Sequence, residues 1–432
     1  MNSTAFADRR RDFLTQLPEG SVAILFSSSE KVRSRDTHFP FRQDSDFYYL
    51  TGFEEPESVA VFIPGRKEGE FILFNRKRDE AAEIWTGKRF GQKGAVEFFG
   101  ADEAFPVNEL STYMPGFLQN QKQLYFPFER QMEWGPKIGR WLAAARAQRK
   151  GVSAPTAVVD TSIILHEMRL IKSDEELGLM RRAAQISVAG HEALLTACKP
   201  GMHEYELEAE LWRVFRQQGA QAMAYNSIVG AGENTCTLHY EANCKKIADG
   251  DLVLVDAAAE FDYYAADITR TFPANGKFTD RQKDIYQLVL QSQTAVIDAI
   301  KPGMPWDELQ TISARVISQG LLDLGLLKGN LDQVLSEKTY QTFYLHKIGH
   351  WLGIDVHDVA QYKLDGQWRA LAPGMTFTVE PGIYIPAGSS QVPEEWWNIG
   401  VRIEDDLLVT PNGSEVLTAG LPKTVEAMER RC

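Results

Sequence analysis

The sequence predicts an α+β chain in which a smaller α/β domain precedes a larger domain built from two helix-helix-strand-strand halves. Three observations carry that prediction. Short β-rich runs dominate the first 170 residues, a helix-start signal marks a junction near residue 170, and the remainder contains an internal repeat. A chain of 432 residues is too long for one ordinary core, so two domains, 1–172 and 173–432, are expected.

In the first domain, Ser21-Val-Ala-Ile-Leu-Phe26, Ser58-Val-Ala-Val-Phe-Ile63 and Phe71-Ile-Leu-Phe74 read as strands bounded by Gly, Pro or charge. Trp134 to Arg146 reads as a short helix. The segment from Arg35 to Gly52, dense in aromatics and charge, reads as a surface loop with an aromatic anchor; the alternative is an interface or pocket lining. Trp85, in Glu83-Ile-Trp-Thr-Gly-Lys88, has the same two readings.

At the junction Arg169-Leu-Ile-Lys-Ser173, Ser173 followed by Glu176 forms a capping box. A helix is expected through Cys198 and a second from about Glu204 to Gln218. The repeat then becomes visible. Lys199-Pro-Gly-Met202 recurs as Lys301-Pro-Gly-Met304, each following an amphipathic stretch and followed by Glu-Leu at the same offset. Asp249-Gly-Asp-Leu-Val-Leu-Val-Asp256 parallels Pro373-Gly-Met-Thr-Phe-Thr-Val-Glu380, with His239 and His350 upstream and Asp267 and Glu404 downstream. The paired acids are 11 residues apart in the first half and 24 in the second, which therefore holds a longer loop. Preserved order over five features indicates duplication about a pseudo-twofold axis, with the acids of both halves meeting in the middle.

Val253 to Phe272 is expected to be a hairpin with its two-residue loop at 261–262. That register places Asp256 opposite Asp267, with Cβ atoms roughly 5 Å apart. Facing like charges call for a cation between them; on their own, these two acids read equally well as a solvated hairpin. The repeat adds Glu380 and Glu404, and the stretch His346-Lys-Ile-Gly-His350-Trp-Leu-Gly-Ile-Asp-Val-His357 holds three of the eight histidines. Four carboxylates and an imidazole suit Mn²⁺, Co²⁺, Fe²⁺ or Zn²⁺, and the number of donors suits two ions.

Bulk properties narrow the class. A formal charge of −13 argues against nucleic acid as a partner. No run approaches a membrane span, and the N-terminal stretch lacks the apolar core of a signal peptide. Cys198, Cys236, Cys244 and Cys432 form no CxxC and are too sparse for a disulfide scaffold, so a cytoplasmic protein is expected.

Several motifs together carry a family resemblance. They are Arg42-Gln-Asp-Ser-Asp-Phe-Tyr-Tyr-Leu-Thr-Gly-Phe53, the junction Arg169 to Glu176, His350-Trp-Leu-Gly with Val356-His-Asp, Thr378-Val-Glu-Pro-Gly-Ile-Tyr384 and Arg402-Ile-Glu-Asp-Asp406. The chain resembles the proline-specific metallopeptidases of the pita-bread fold, and among them the aminopeptidase P family. The resemblance implies that Asp256, Asp267, His350, Glu380 and Glu404 bind two divalent ions, most simply Mn²⁺ with Co²⁺ or Zn²⁺ as substitutes. Asp267 and Glu404 would bridge, and a metal-activated hydroxide would cleave the first bond of peptides with proline second. It implies that His239 and His357 face the substrate, that Glu380 shuttles a proton and that Arg402 supports the acids. It also implies a homodimer or homotetramer, with the N-terminal domain governing assembly and access.

The sequence departs from the family pattern at Lys347, at Ala258 in Asp256-Ala-Ala-Ala, and at Ala266, where small glycines are usual; none removes a ligand. Lys347 is expected in solvent or at a domain contact. A prolidase confined to Xaa-Pro dipeptides shares the ligands and remains the alternative. A methionine aminopeptidase fits less well because of the large N-terminal domain, and a non-catalytic binding protein would be expected to have lost a ligand.

Overall fold

A computed structural model describes residues 3–147 and 151–431; Cys432 lies outside them. The chain divides into two compact units, Met1–Met168 and Arg169–Cys432.

The first unit is organised on a six-stranded sheet in the order Glu103–Pro106, Phe71–Asn75, Val59–Phe62, Ser21–Phe26, Gln123–Phe126, Ala157–Asp160. The sheet is mixed: Ser21–Phe26 runs antiparallel to Val59–Phe62 and parallel to Gln123–Phe126. Ser21–Phe26 is buried along its whole length, which is why it reads as a continuous apolar run instead of an alternating one. The helix expected from Trp134 begins slightly earlier, at Gln131–Arg146.

The 35–52 segment departs from the expected surface loop. Only its first part is exposed. Ser45–Thr51 is a helix, capped by the Asp44 side chain, which accepts from the Phe47 N–H, and stopped by Gly52 at φ 63°. Phe47, Tyr48, Tyr49 and Leu50 are buried. A seven-residue helix buried nearly all round has no polar face, so no 3.6-residue period marks it in the sequence. Trp85 and Ile84 sit on the Glu80–Thr86 helix, 87% and 81% exposed.

In the second unit the repeat holds bond by bond. Asp174–Ala197 and Glu204–Gln217 form the helix pair of the first half, and Asp280–Ala299 and Trp306–Asp323 that of the second. The Ser173 and Glu176 capping box is present, and Thr279 with Gln282 repeats it. Gly201 donates to Ile247 O and Ile247 to Met202 O; in the other half Gly303 donates to Leu371 O and Leu371 to Met304 O, all at 2.8 Å. Gly201 and Gly303 take φ 96° and 86°, a left-handed turn that fits glycine. Leu207, Leu211 and Phe215 share one apolar cluster with Val253, Val255, Ile285, Ile317 and Leu321, so both halves close on a common core.

The hairpin register corrects the expected one. Asp262 and Tyr263 both have positive φ, 51° and 72°, which puts the tight turn at 262–263. Phe261 pairs with Tyr264, and farther down Asp256 pairs with Thr269, not Asp267. Moving the turn by one residue shifts each pairing by two, so both acids keep the same face while losing direct opposition. The expected opposition occurs instead in the second half. Thr376–Val379 pairs with Asp405–Thr410, Val379 against Asp405, and the next position sets Glu380 across from Glu404.

The segment before His350 lies close against this second pair of strands. A Cβ on Gly349 would strike the Thr378 carbonyl oxygen. Gly349→Ala is therefore expected to destabilise the protein by about 1–3 kcal/mol through overpacking. Urea unfolding should show a lower midpoint at an unchanged slope; an unchanged midpoint would mean that this contact relaxes freely.

Candidate metal centre

Each half delivers its two acids at the ends of strands. Asp256 ends Leu252–Asp256, and Asp267 lies just before Thr269–Pro273. Glu380 follows Thr376–Val379, and Glu404 precedes Asp405–Thr410. His350 comes from the segment whose next residue, Trp351, bridges to Phe377. The five side chains converge. Donor atoms of Asp267, His350 and Glu404 all lie within 4.8 Å of one another. His350 Nε2 is 3.4 Å from Asp267 Oδ2 and 3.6 Å from Glu380 Oε1. The Tyr225 hydroxyl stands 2.6 Å from both Asp256 Oδ1 and Asp267 Oδ1, linking the fourth acid to the rest.

Burial raises the carboxyls of Asp256, Glu380 and Glu404. It pushes Asp256 up, with Arg402 opposing and Asp267 reinforcing. It pushes Glu380 up to about 7 against the pull of His350 and Arg402. Glu404 rises well above the usual range through burial and the neighbouring Asp267 and Glu380. Asp406, whose two oxygens accept from the Asp267 N–H at 3.1 Å, rises for the same reasons, burial first and then Asp267. For His350 burial acts downward, but Asp267 and Glu380 outweigh it and hold the imidazole up at about 9. A buried acid cluster of this kind with one imidazole and no thiolate among its donors fits hard or borderline divalent cations.

The supporting residues set the orientation of the donors. Arg402 Nη2 donates to Asp256 Oδ2 at 2.7 Å, its Nη1 to Tyr384 OH at 2.8 Å and its Nε to Thr269 Oγ1 at 3.2 Å. Thr269 Oγ1 in turn donates to Glu404 Oε2 at 2.6 Å. Arg402 is thus tied to Asp256 directly and to Glu404 through one hydroxyl. His350 Nδ1 is 3.0 Å from Trp351 O, which leaves Nε2 free to act as a ligand. Wholly buried Arg270 pairs with Asp405 at 2.7 Å and donates to Glu404 O at 2.6 Å.

The histidines divide into two sets. His357 is exposed and meets the His350 ring edge-on, with centroids 4.3 Å apart. Burial and the neighbouring His350 keep His357 below its ordinary value. His239 is exposed on the 232–245 loop and close enough to add to that depression. Lys347 is exposed. Beside His357, Asp358 is buried and clamped by Arg169 at 2.6 Å and Lys172 at 2.9 Å.

Tyr225, Thr269, Tyr384 and Arg270 were not marked as site residues by the sequence, although the last three lie inside motifs that carry ligands. Tyr225 belongs to no repeat element and has no sequence signal. His346 was visible as one of three clustered histidines; its Nε2 accepts from Tyr384 OH at 2.8 Å, and burial and Arg402 hold it down at about 3.

Two repeated halves closing on a shared acid-and-imidazole centre define a metal-dependent peptidase of the pita-bread fold. Residues 178–411 match the family described as metallopeptidase family M24, and residues 6–125 match the aminopeptidase P N-terminal domain. The chain is 42% identical over 426 residues to the Xaa-Pro aminopeptidase of Escherichia coli K12, covering 98% of this chain and 96% of that one. The solved structure of Pseudomonas aeruginosa aminopeptidase PepP is 47% identical with a TM-score of 0.98, covering 100% of this chain and 98% of that one. A variant of E. coli aminopeptidase P in complex with substrate is 41% identical with a TM-score of 0.96, with the same coverage. The chain belongs to metallopeptidase family M24, within its aminopeptidase P group.

The charge pattern gives a pH-dependent test. Glu380 has a raised value in the folded protein, so its ionisation between 4.5 and about 7 removes stability. The stabilising proton on His350 is lost between 6.5 and about 9. Metal-free protein should therefore lose thermal stability as pH rises through these windows. Added Mn²⁺ should raise Tm more at about pH 8.5 than at about pH 6, because ligands must be deprotonated to bind. A larger metal effect at the lower pH would contradict the assigned centre.

Proposed function

We propose that the protein hydrolyses the first peptide bond of peptides with proline in second position. The observation that carries this is the convergence of all five donors, Asp256, Asp267, His350, Glu380 and Glu404, from two halves onto one buried centre. Relatives named Xaa-Pro aminopeptidase that span nearly the whole chain support the substrate class.

These five residues would hold two divalent ions. Bound there, such ions supply Lewis-acid polarisation of the scissile carbonyl and lower the pKa of water. Glu380, beside His350 and at the edge of the centre, is placed to take the proton of the attacking water and pass it to the prolyl nitrogen as that bond breaks. His357, held neutral at physiological pH, donates from its ring N–H to the oxygen that becomes negative. His239, from the facing loop, contacts the substrate. Arg402 favours the ionised form of Asp256 against burial and orients it. The prolyl amide has no N–H, so recognition of proline depends on shape and apolar contact.

The oxygen-rich donor set supports Mn²⁺ as the resident ion, with Co²⁺ or Zn²⁺ able to replace it. Cys236 and Cys244, which form no disulfide, support a cytoplasmic setting, and among the described residues no helix is long and apolar enough to cross a membrane. The exposed Ile84 and Trp85 support a homodimer or homotetramer assembled through the N-terminal unit, which would also govern substrate access.

Metal-free protein reloaded with Mn²⁺, Co²⁺ or Zn²⁺ should cleave Xaa-Pro-Yaa peptides. Turnover of Xaa-Pro dipeptides alone would make it a prolidase, and no turnover with any of the three would overturn hydrolysis. With the loaded enzyme, His357→Ala should lower kcat by about 10²-fold with little change in KM, as for loss of an oxyanion donor.

A further inference from the structure

We infer that Glu204 is a positioning residue for His239, holding the loop that presents this histidine to the substrate. The inference rests on the role proposed above for His239.

Glu204 is the first residue of the Glu204–Gln217 helix and is fully buried. Its carboxylate gathers four donors from the 231–245 segment. Oε1 accepts from the Ala231 N–H at 2.7 Å and Asn234 Nδ2 at 3.0 Å. Oε2 accepts from Tyr240 OH at 2.8 Å and the Lys245 N–H at 2.7 Å. Ala231 and Lys245 are the two ends of the segment, and Tyr240 is the residue after His239. One side chain thus fixes both ends and the middle of a loop whose histidine remains exposed.

All four donors are neutral, so no cation among them offsets the desolvation of the carboxylate. An apolar residue there would leave all four donors without this acceptor. What the carboxylate adds is geometry, because four directed hydrogen bonds define one loop conformation.

The second half supports the same role by a different means. The repeat aligns Glu204 with Trp306: the Glu204 N–H donates to Lys245 O at 3.0 Å, and the Trp306 N–H to Arg369 O at 2.9 Å. Trp306 packs against Trp351 with ring centroids 4.3 Å apart and planes tilted by 51°. Trp351 O faces His350 Nδ1 at 3.0 Å and accepts from the Asp358 N–H at 2.9 Å. The same position in each half therefore anchors a histidine-bearing loop, by hydrogen bonds in one and by aromatic packing in the other.

The test is a double-mutant cycle on the Mn²⁺-loaded enzyme with an Xaa-Pro-Yaa substrate, combining Glu204→Gln and Tyr240→Phe with His239→Ala. Tyr240→Phe removes one donor and leaves Glu204 its other three, so it carries the test even where Glu204→Gln does not fold. With His239 present, kcat/KM is expected to fall about 10-fold for Glu204→Gln and about 3-fold for Tyr240→Phe; in the His239→Ala background both should fall less than about 2-fold. Mn²⁺ affinity, titrated without turnover, should stay at the wild-type value, and amide exchange at Ala231 and Lys245 should accelerate. Equal losses in both backgrounds would make Glu204 a general structural residue and overturn the inference. So would wild-type kcat/KM in both variants while His239→Ala is impaired. Wild-type turnover by His239→Ala would overturn the reading of His239 and the inference with it.

Discussion

The constraint on which the rest of the catalytic unit depends is electrostatic. Asp256, Asp267, Glu404 and Asp406 are buried together, with half-buried Glu380 beside them. Without compensation such a set repels itself and disfavours ionisation. Arg402, His350 and the Tyr225 hydroxyl supply part of the compensation, and bound cations would supply the remainder. The fold can hold this centre because it is anchored from behind. Arg270 and Lys423 neutralise Asp405, which stays below its ordinary value despite burial, and Arg270 also grips the Glu404 carbonyl.

Duplication explains how so many acids come to meet. Each half contributes one carboxylate at the end of a strand and one beside the next strand, and neither half could form the centre alone. The halves have diverged in how they do so. The second opposes its acids directly across a strand pair; the first offsets them by two positions and bridges the offset with Tyr225. The loops that carry the histidines have diverged similarly, one held by a carboxylate and the other by packed tryptophans.

Much of this was legible in the chain. Capping residues, Pro-Gly turns and acid-bearing strands recur in the same order in both halves, and these are local signals that survive divergence. The five converging side chains and Arg402 were legible because each lies in a motif. The helix at Ser45–Thr51 was not, because a helix buried on nearly every side shows no periodicity. The hairpin register was missed by a single turn residue, since positive φ at Asp262 and Tyr263 is chosen by the twist of the paired strands, not by obvious glycines.

The sequence by itself determined the duplicated architecture and marked the acids and the histidine that converge, because both depend on residue type and order. Only the tertiary structure decided which acids oppose one another, which hydroxyl lies between Asp256 and Asp267, and which buried charges support Glu404 from behind. Those features join residues as far apart as Arg270 and Glu404, or Asp256 and Arg402. Contacts between distant segments arise from packing the two halves together, and no local pattern in the chain encodes them.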